Sequence, residues 1–353
     1  MQEPATDEVL IRREGRAGRI TMNRPQALNA LTLAMVDQIW EALLAWKSDP
    51  AVELVLLDGA GDRALCAGGD VRALYDSRQE GSTLARTFWG NEYPLNALIG
   101  RYPKPYVAIQ DGIVMGGGIG LSGHARHRIV TERSRLAMPE TGIGLIPDVG
   151  GTWLLAHAPG AVGVYLGLTG ETMRAADAIY AHFADAFIPS AKIGRLAERL
   201  VDARGGAVEE AMRALAEDAG PSQLAARRAD IDHVFGSDSV EAMLAPLSRL
   251  TGEWAQKTAA TLAQKSPKSM TLTLAAVRNA LRLGSLEAAL DVEYRLCVRL
   301  FEDGEFIEGV RALIVDKDRQ PKWSPARLED VRPELVAAYL APLPPDEELG
   351  LKP

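Results

Sequence analysis

Cysteine is almost missing from this 353-residue chain: Cys66 and Cys297 stand far apart, and neither sits in a metal-ligand spacing. That excludes a disulfide framework and points to a reducing compartment. Histidine is scarce too. His124, His127, His157, His182 and His233 form no HExxH or comparable pair, so no metal is expected. No apolar run approaches the ~18–20 residues that a membrane span needs. The N-terminal MQEPATDEVL has neither the apolar core of a secretory signal nor the arginine-rich amphipathic character of a transit peptide, which predicts a cytoplasmic protein. Positive charge is in deficit. The 39 Lys and Arg against 47 Asp and Glu leave −8, which argues against nucleic acid or an anionic membrane as the main partner.

What is present concentrates in residues 111–151, DGIVMGGGIGLSGHARHRIVTERSRLAMPETGIGLIPDVGG. Residues 106–109 ahead of it read as a strand, and Met115-Gly116-Gly117-Gly118 then makes a turn that can offer bare backbone N–H groups to a ligand. Glu140 and Asp148 follow. N–H donors for an oxyanion, with a carboxylate beside the same carbonyl, suit thioester or enolate chemistry. The segment Gly118-Ile119-Gly120-Leu121-Ser122-Gly123 also satisfies the dinucleotide pattern G-x-G-x-x-G. Against that reading, more than a hundred residues precede it, and the trailing acid follows Met138-Pro139 instead of closing a second strand.

Along the chain, residues 9–11 and 19–22 predict a hairpin, residues 32–46 a helix capped by Thr32, and residues 52–57 a buried parallel strand. Cys66-Ala67-Gly68-Gly69-Asp70 ends a strand in small residues, with Asp70 placed to cap the next helix. Glu92 is the single acid in an aromatic, apolar stretch beside Trp89 and Tyr93, a setting compatible with burial. The recurring strand, turn and helix from residue 52 to about 177 suggests a spiral of stacked units. From residue 170 the pattern turns helical, with one helix read across residues 239–262. Lys317 and Lys322 flank Pro321-Trp323 as candidates for cofactor phosphates, and the Pro-rich tail from residue 341 reads as weakly ordered.

These residues resemble the successive motifs of the enoyl-CoA hydratase/isomerase (crotonase) superfamily: Met22-Asn23-Arg24-Pro25 with Leu28-Asn29-Ala30-Leu31, then Cys66-Ala67-Gly68-Gly69-Asp70, Met115-Gly116-Gly117-Gly118 and Pro139-Glu140. Asn91-Glu92-Tyr93, Ile146-Pro147-Asp148-Val149-Gly150-Gly151, Glu293-Tyr294-Arg295 and residues 309–323 are similar to a branch that hydrolyses short 3-hydroxyacyl-CoA esters. The resemblance implies an α/β fold, with a crotonase-like spiral of ββα units over residues 1–205 and a helical C-terminal region, 206–353, completing the coenzyme A site. It implies that the Ala67 and Gly117 amides hold the thioester oxygen, that Glu140 and Asp148 are catalytic, and that Glu92, Gly68, Gly69 and Asp70 bind substrate. No cofactor is implied beyond the CoA carried by the acyl-CoA substrate. The superfamily's trimers make a homo-oligomer one expectation; a tail that caps that surface is the other.

One departure bears on the reaction. A hydratase needs two glutamates around the double bond, and the position of the first is Gly120 here. Gly142, Gly144 and Pro147 predict that no continuous helix joins Glu140 to Asp148, so the second acid returns to the site on a turn. Carboxylates clustered in this way should raise at least one pKa. Isomerisation with one carboxylate, and a silent acyl-CoA-binding subunit, stay open as alternatives.

Overall fold

The computed structural model describes residues 7–203 and 207–352. The expected boundary at 205/206 therefore lies outside the described residues. Nine strands are described: β1 (Val9–Glu14), β2 (Ala17–Met22), β3 (Leu54–Gly59), β4 (Ala64–Cys66), β5 (Tyr106–Gln110), β6 (Ile113–Met115), β7 (His127–Val130), β8 (Arg135–Ala137) and β9 (Ala186–Phe187). In the first half the helices are α1 (Leu33–Ser48), α2 (Val71–Gln79), α3 (Leu84–Gly100), α4 (Gly117–Ser122), α5 (Gly151–Ala156) and α6 (Val162–Thr169). Then follow α7 (Ala175–Tyr180), α8 (Ser190–Asp202), α9 (Val208–Arg213), α10 (Gln223–Ala226), α11 (Arg228–Phe235), α12 (Val240–Arg249), α13 (Glu253–Leu262), α14 (Pro267–Leu283), α15 (Leu286–Glu302), α16 (Glu305–Val310) and α17 (Pro333–Leu340).

The strands form two sheets, ordered β1-β2-β3-β5-β7-β9 and β4-β6-β8, and every pairing except the β1–β2 hairpin is parallel. Each turn of the chain lays one strand in the large sheet and the next in the small one: β3 then β4, β5 then β6, β7 then β8. This is the expected spiral. Both faces of the large sheet are buried, as a parallel sheet requires. Val55, Leu57, Tyr106 and Ala108 face the main core, while Leu54, Leu56, Val107 and Ile109 pack against Leu196 and Leu200 of α8 and Val208 and Met212 of α9.

The small sheet positions the site. Its three short strands are parallel neighbours, so residues that leave their C-terminal ends emerge along one edge: residues 67–70 after β4, the glycine triplet after β6 and Glu140 after β8. That is where ligands gather in parallel α/β architectures. The C-terminal helices close over this edge, with α14 on α5 and α6, α15 on α3, and α16 on the turn that carries Glu140.

Two expectations for the second half are corrected. Residues 239–262 are two helices, because Gly252 at φ +120° breaks the path between α12 and α13. The Pro-rich tail is docked: Arg295 donates to Glu348 at 2.8 Å, Arg101 to the Lys352 carbonyl at 2.7 Å and the Leu351 amide to Asp291 at 3.0 Å. Among the described residues no helix is long and apolar enough to cross a membrane.

Candidate active site

The glycine triplet is required by space as much as by conformation. Gly116 has φ +46° and ψ −120°, outside the range of ordinary L-residues. A Cβ on Gly117 would lie 2.7 Å from Glu92 Oε1, and one on Gly118 would lie 2.2 Å from the Cys66 carbonyl oxygen. The chain therefore turns sharply from β6 into α4. Gly117 is the first residue of α4, and its amide has no acceptor within the helix.

The second amide is not the one expected. Ala67 donates its N–H to the Leu28 carbonyl at 3.1 Å, so that donor is already engaged. The engagement follows from the Asn29 turn. Leu28 and Asn29 both adopt positive φ, and Asn29 accepts from the Arg24 amide at 2.8 Å and donates to the Ala64 carbonyl at 2.8 Å. Two residues on, the Gly69 amide has no acceptor among the described residues, and it lies 3.4 Å from where a Cβ on Gly117 would stand. Gly69 and Gly117 thus replace Ala67 and Gly117 as the two converging donors. Gly68 instead supplies its carbonyl to the Leu31 amide at 2.8 Å. Asp70 caps α2 by accepting from the Ala73 amide at 3.2 Å and faces Arg24 at 3.3 Å.

Around these amides lies a cavity of about 310 Å³, lined by Ala67, Gly68, Gly69, Gly116, Gly117 and three acids, Glu92, Glu140 and Asp148, with Phe88, Trp89 and Phe306 on its apolar side. The acids are only 2%, 4% and 5% exposed. Glu140 opens a 3₁₀ turn (Glu140–Ile143) that ends at Gly144 in the left-handed region, and the chain then returns to the cavity at Asp148 without a continuous helix. Glu92 Oε1 and Glu140 Oε2 have no hydrogen-bond partner. Buried acceptors without donors are costly in a fold and are expected to serve a ligand.

Burial raises all three acids. Glu92 and Glu140 sit well above the ordinary carboxylate range, through burial first and then the neighbouring Asp148. Asp148 is pushed up to about 6 by burial, held back by the hydrogen bond from Tyr93. The Tyr93 hydroxyl has one proton and donates it to Asp148 Oδ2 at 2.7 Å, so the Cys297 thiol, 3.2 Å away, is left to donate to the phenolic oxygen.

From this cavity a second one, of about 270 Å³, continues outward past Pro139, Ile143 and Leu313 to Lys265, Gln264, Arg319 and Pro321. Lys317 and Lys322, the expected phosphate ligands, are exposed nearby and line neither cavity. Lys265 and Arg319 do. Sequence reading passed over Lys265, which precedes the α14 cap at Ser266 in no recognisable pattern. Glu293 stands in the matching Glu293-Tyr294-Arg295 stretch but receives no role there, although its place among buried Ala289, Leu290, Leu296 and Cys297 on α15 is a legible signal. The dinucleotide reading finds no support, because Gly118, Gly120 and Gly123 are packed against Cys66, Asn96 and Leu154.

The enoyl-CoA hydratase/isomerase family pattern matches residues 17–340. A Danio rerio protein named 3-hydroxyisobutyryl-CoA hydrolase, mitochondrial, is 41% identical over 95% of this chain and 90% of its own length. The Homo sapiens protein of that name is 38% identical over 94% and 87%. Among solved structures, a carnitinyl-CoA dehydratase from Mycobacterium thermoresistibile superposes with a TM-score of 0.92 at 45% identity, covering 98% of each chain. An enoyl-CoA hydratase from Rhodobacter sphaeroides 2.4.1 gives 0.91 at 45%, covering 98% of this chain and 100% of its own. The mitochondrial names of the hydrolases overturn the cytoplasmic expectation, which rested on the N-terminal residues, the scarce cysteine and the lack of a long apolar run. With sequence, fold and site geometry in agreement, the chain belongs to the enoyl-CoA hydratase/isomerase family.

Proposed function

We propose that this protein hydrolyses the thioester of a short 3-hydroxyacyl-CoA, with 3-hydroxyisobutyryl-CoA as the first substrate and 3-hydroxypropionyl-CoA as the second, releasing the hydroxy acid and CoA in valine breakdown. The observation that carries this reading is the convergence of two amides, Gly69 and Gly117, with Glu140, Asp148 and Glu92 on one cavity. The relatives named 3-hydroxyisobutyryl-CoA hydrolase support it.

In this reading the thioester oxygen sits between the Gly69 and Gly117 amides, each contributing about 3 kcal/mol as negative charge develops on that oxygen. Glu140 delivers oxygen to the carbonyl carbon, either by direct attack to a mixed anhydride or by taking a proton from the attacking water. The C–S bond breaks, CoA leaves as thiolate, and one water is consumed overall. Glu92 and Asp148 hold the 3-hydroxyl and order the water. No resident cofactor, nucleic acid or membrane enters the scheme: CoA arrives on the substrate through the corridor past Lys265 and departs as product.

A hydratase or dehydratase reading draws on the two 45%-identical structures. Against it stands Gly120. A Cβ there would lie 2.7 Å from the Val149 Cβ and 2.8 Å from Asn96 Nδ2, so the position that needs a second glutamate is filled by neighbours. Incubation with 3-hydroxyisobutyryl-CoA separates the readings. Free thiol in step with substrate loss is the expected result. Enoyl-CoA absorbance without thiol identifies a dehydratase, and binding with neither identifies a silent subunit. Turnover in ¹⁸O-water, with mass analysis of the Glu140 peptide, distinguishes attack from base catalysis.

A further inference from the structure

Glu293 is a buried acid that the scheme above leaves without a task. It lies on α15, fully buried, far in sequence from the catalytic turns. Its two oxygens accept the Gly150 amide at 2.6 Å, the Thr152 amide at 2.9 Å and the Thr152 hydroxyl. Those donors belong to the turn that begins at Asp148.

The turn is one the chain does not adopt unaided. Val149 has φ +56°, a left-handed conformation that a β-branched residue resists, and Gly150 follows at φ +78°. The strained residue is held from three directions. His124 donates Nε2–H to the Val149 carbonyl at 2.8 Å, as a neutral ring whose pKa burial lowers to about 4. Tyr93 holds the Asp148 carboxylate, and Glu293 collects the amides on the far side. Glu293 is the one of the three that is an acid: burial pushes its carboxyl up to about 8, while the three donors of Gly150 and Thr152 hold it down, so these hydrogen bonds fasten the turn to α15.

We infer that Glu293 is a positioning residue, an anchor on α15 that sets where the Asp148 carboxylate stands in the acyl cavity. The inference rests on the hydrolase reading and deepens it: the C-terminal helices do more than cover the cavity, because one of them fixes a group that faces the substrate. Loss of the anchor lets residues 149–150 relax toward ordinary φ, which carries Asp148 away from Tyr93. The groups that face Asp148 are Glu92 and Tyr93 from α3, Glu140 from the 3₁₀ turn, and Cys297 and Glu293 from α15.

The test is Glu293→Gln in the full-length enzyme, with thiol release from 3-hydroxyisobutyryl-CoA followed against pH. The expected result is a kcat at least about tenfold lower, KM within about threefold of wild type, and an acid limb displaced upward as the Tyr93 bond to Asp148 loosens. A kcat near wild type overturns the inference, as does a reduced kcat with the limb unmoved or displaced downward, which marks a loss of stability or of a charge alone. Thr152→Val removes one donor, leaves the anchor in place and decides the matter if the first variant does not fold. It is expected to lower kcat with KM held, and parity with wild type overturns the inference. If the wild-type enzyme releases no thiol from any 3-hydroxyacyl-CoA, the hydrolase reading itself has failed, and these variants are then not what has been refuted.

Discussion

The Tyr93 hydroxyl and the Asp148 carboxylate, 2.7 Å apart and both buried, form a side-chain hydrogen bond that favours the charged acid in the acyl cavity. Burial lifts Asp148, the phenolic proton pulls it back down, and the balance lies at about 6. Tyr93→Phe removes the donor and nothing else of comparable size. Asp148 then moves further up, and the acid limb of kcat/KM moves with it, so activity falls more at pH 6 than at pH 8. A pH–rate profile of the variant checks this. A limb that stays in place dissociates Asp148 ionisation from turnover.

Glu140→Gln is expected to abolish thiol release while acyl-CoA binding, read by calorimetry, survives. It should also stabilise the fold at neutral and alkaline pH. The sign follows from the raised pKa. A carboxyl whose folded pKa lies above its unfolded value contributes stability below the unfolded pKa and loses it as pH rises through the folded one. Glu140, Glu92 and Asp148 all titrate in that sense. Activity and stability therefore run in opposite directions: hydrolysis falls as pH drops through about 6, where thermal stability gains from the same groups. Melting curves of wild type and variant at pH 5 and pH 8 check this, with the difference between them larger at pH 8.

How much of this was legible depends on whether a feature is local. The hairpin, the Thr32 cap that accepts from Met35, the alternating buried strands and the Asp70 cap rest on contacts between near neighbours in sequence, and the pattern gave them correctly. The return of Asp148 on a turn was readable for the same reason, since Gly142, Gly144 and Pro147 deny a helix. The free amide lies two residues later than expected, because the choice between Ala67 and Gly69 is made by the Leu28 carbonyl, nearly forty residues earlier. Lys265 and Arg319 reach their places only through packing of the C-terminal helices, and Glu293, legible as a buried residue of α15, shows its partners Gly150 and Thr152 only in the fold.

Gly120→Glu is the substitution that sequence comparison alone would choose to restore a hydratase, and it should fail. Its Cβ meets the Val149 Cβ, in the turn that holds Asp148, at 2.7 Å and Asn96 Nδ2, on α3, at 2.8 Å. Overpacking of this kind costs about 1–3 kcal/mol or more, before the added cost of another buried carboxylate. The expected outcome is a lower melting temperature, lost hydrolysis and no hydration of crotonyl-CoA. Hydration by a stably folded Gly120→Glu protein would show that the pocket is plastic where it is drawn as closed.

Lys265 is the less exposed of the two cations, with Arg319, that the outward corridor offers to a phosphate-bearing ligand. Burial depresses its pKa below that of a free lysine, with Glu140 and Glu171 acting to raise it, and its Nζ lies 3.2 Å from where a Cβ on Gly142 would stand. A partly desolvated ammonium gains more from an incoming anion than the exposed Lys317 or Lys322 can, because water and salt screen those two. Lys265→Ala is therefore expected to raise KM for the CoA ester by about tenfold, a loss of roughly 1.4 kcal/mol, with kcat changed far less. Lys317→Ala and Lys322→Ala are expected to stay within about twofold of wild type. The contrast should shrink for a substrate truncated to the pantetheine thioester, which has no phosphate. Equal sensitivity of all three lysines would instead place the phosphates among the largely exposed residues 317–322, and the corridor past Lys265 would then not be the path of the CoA arm.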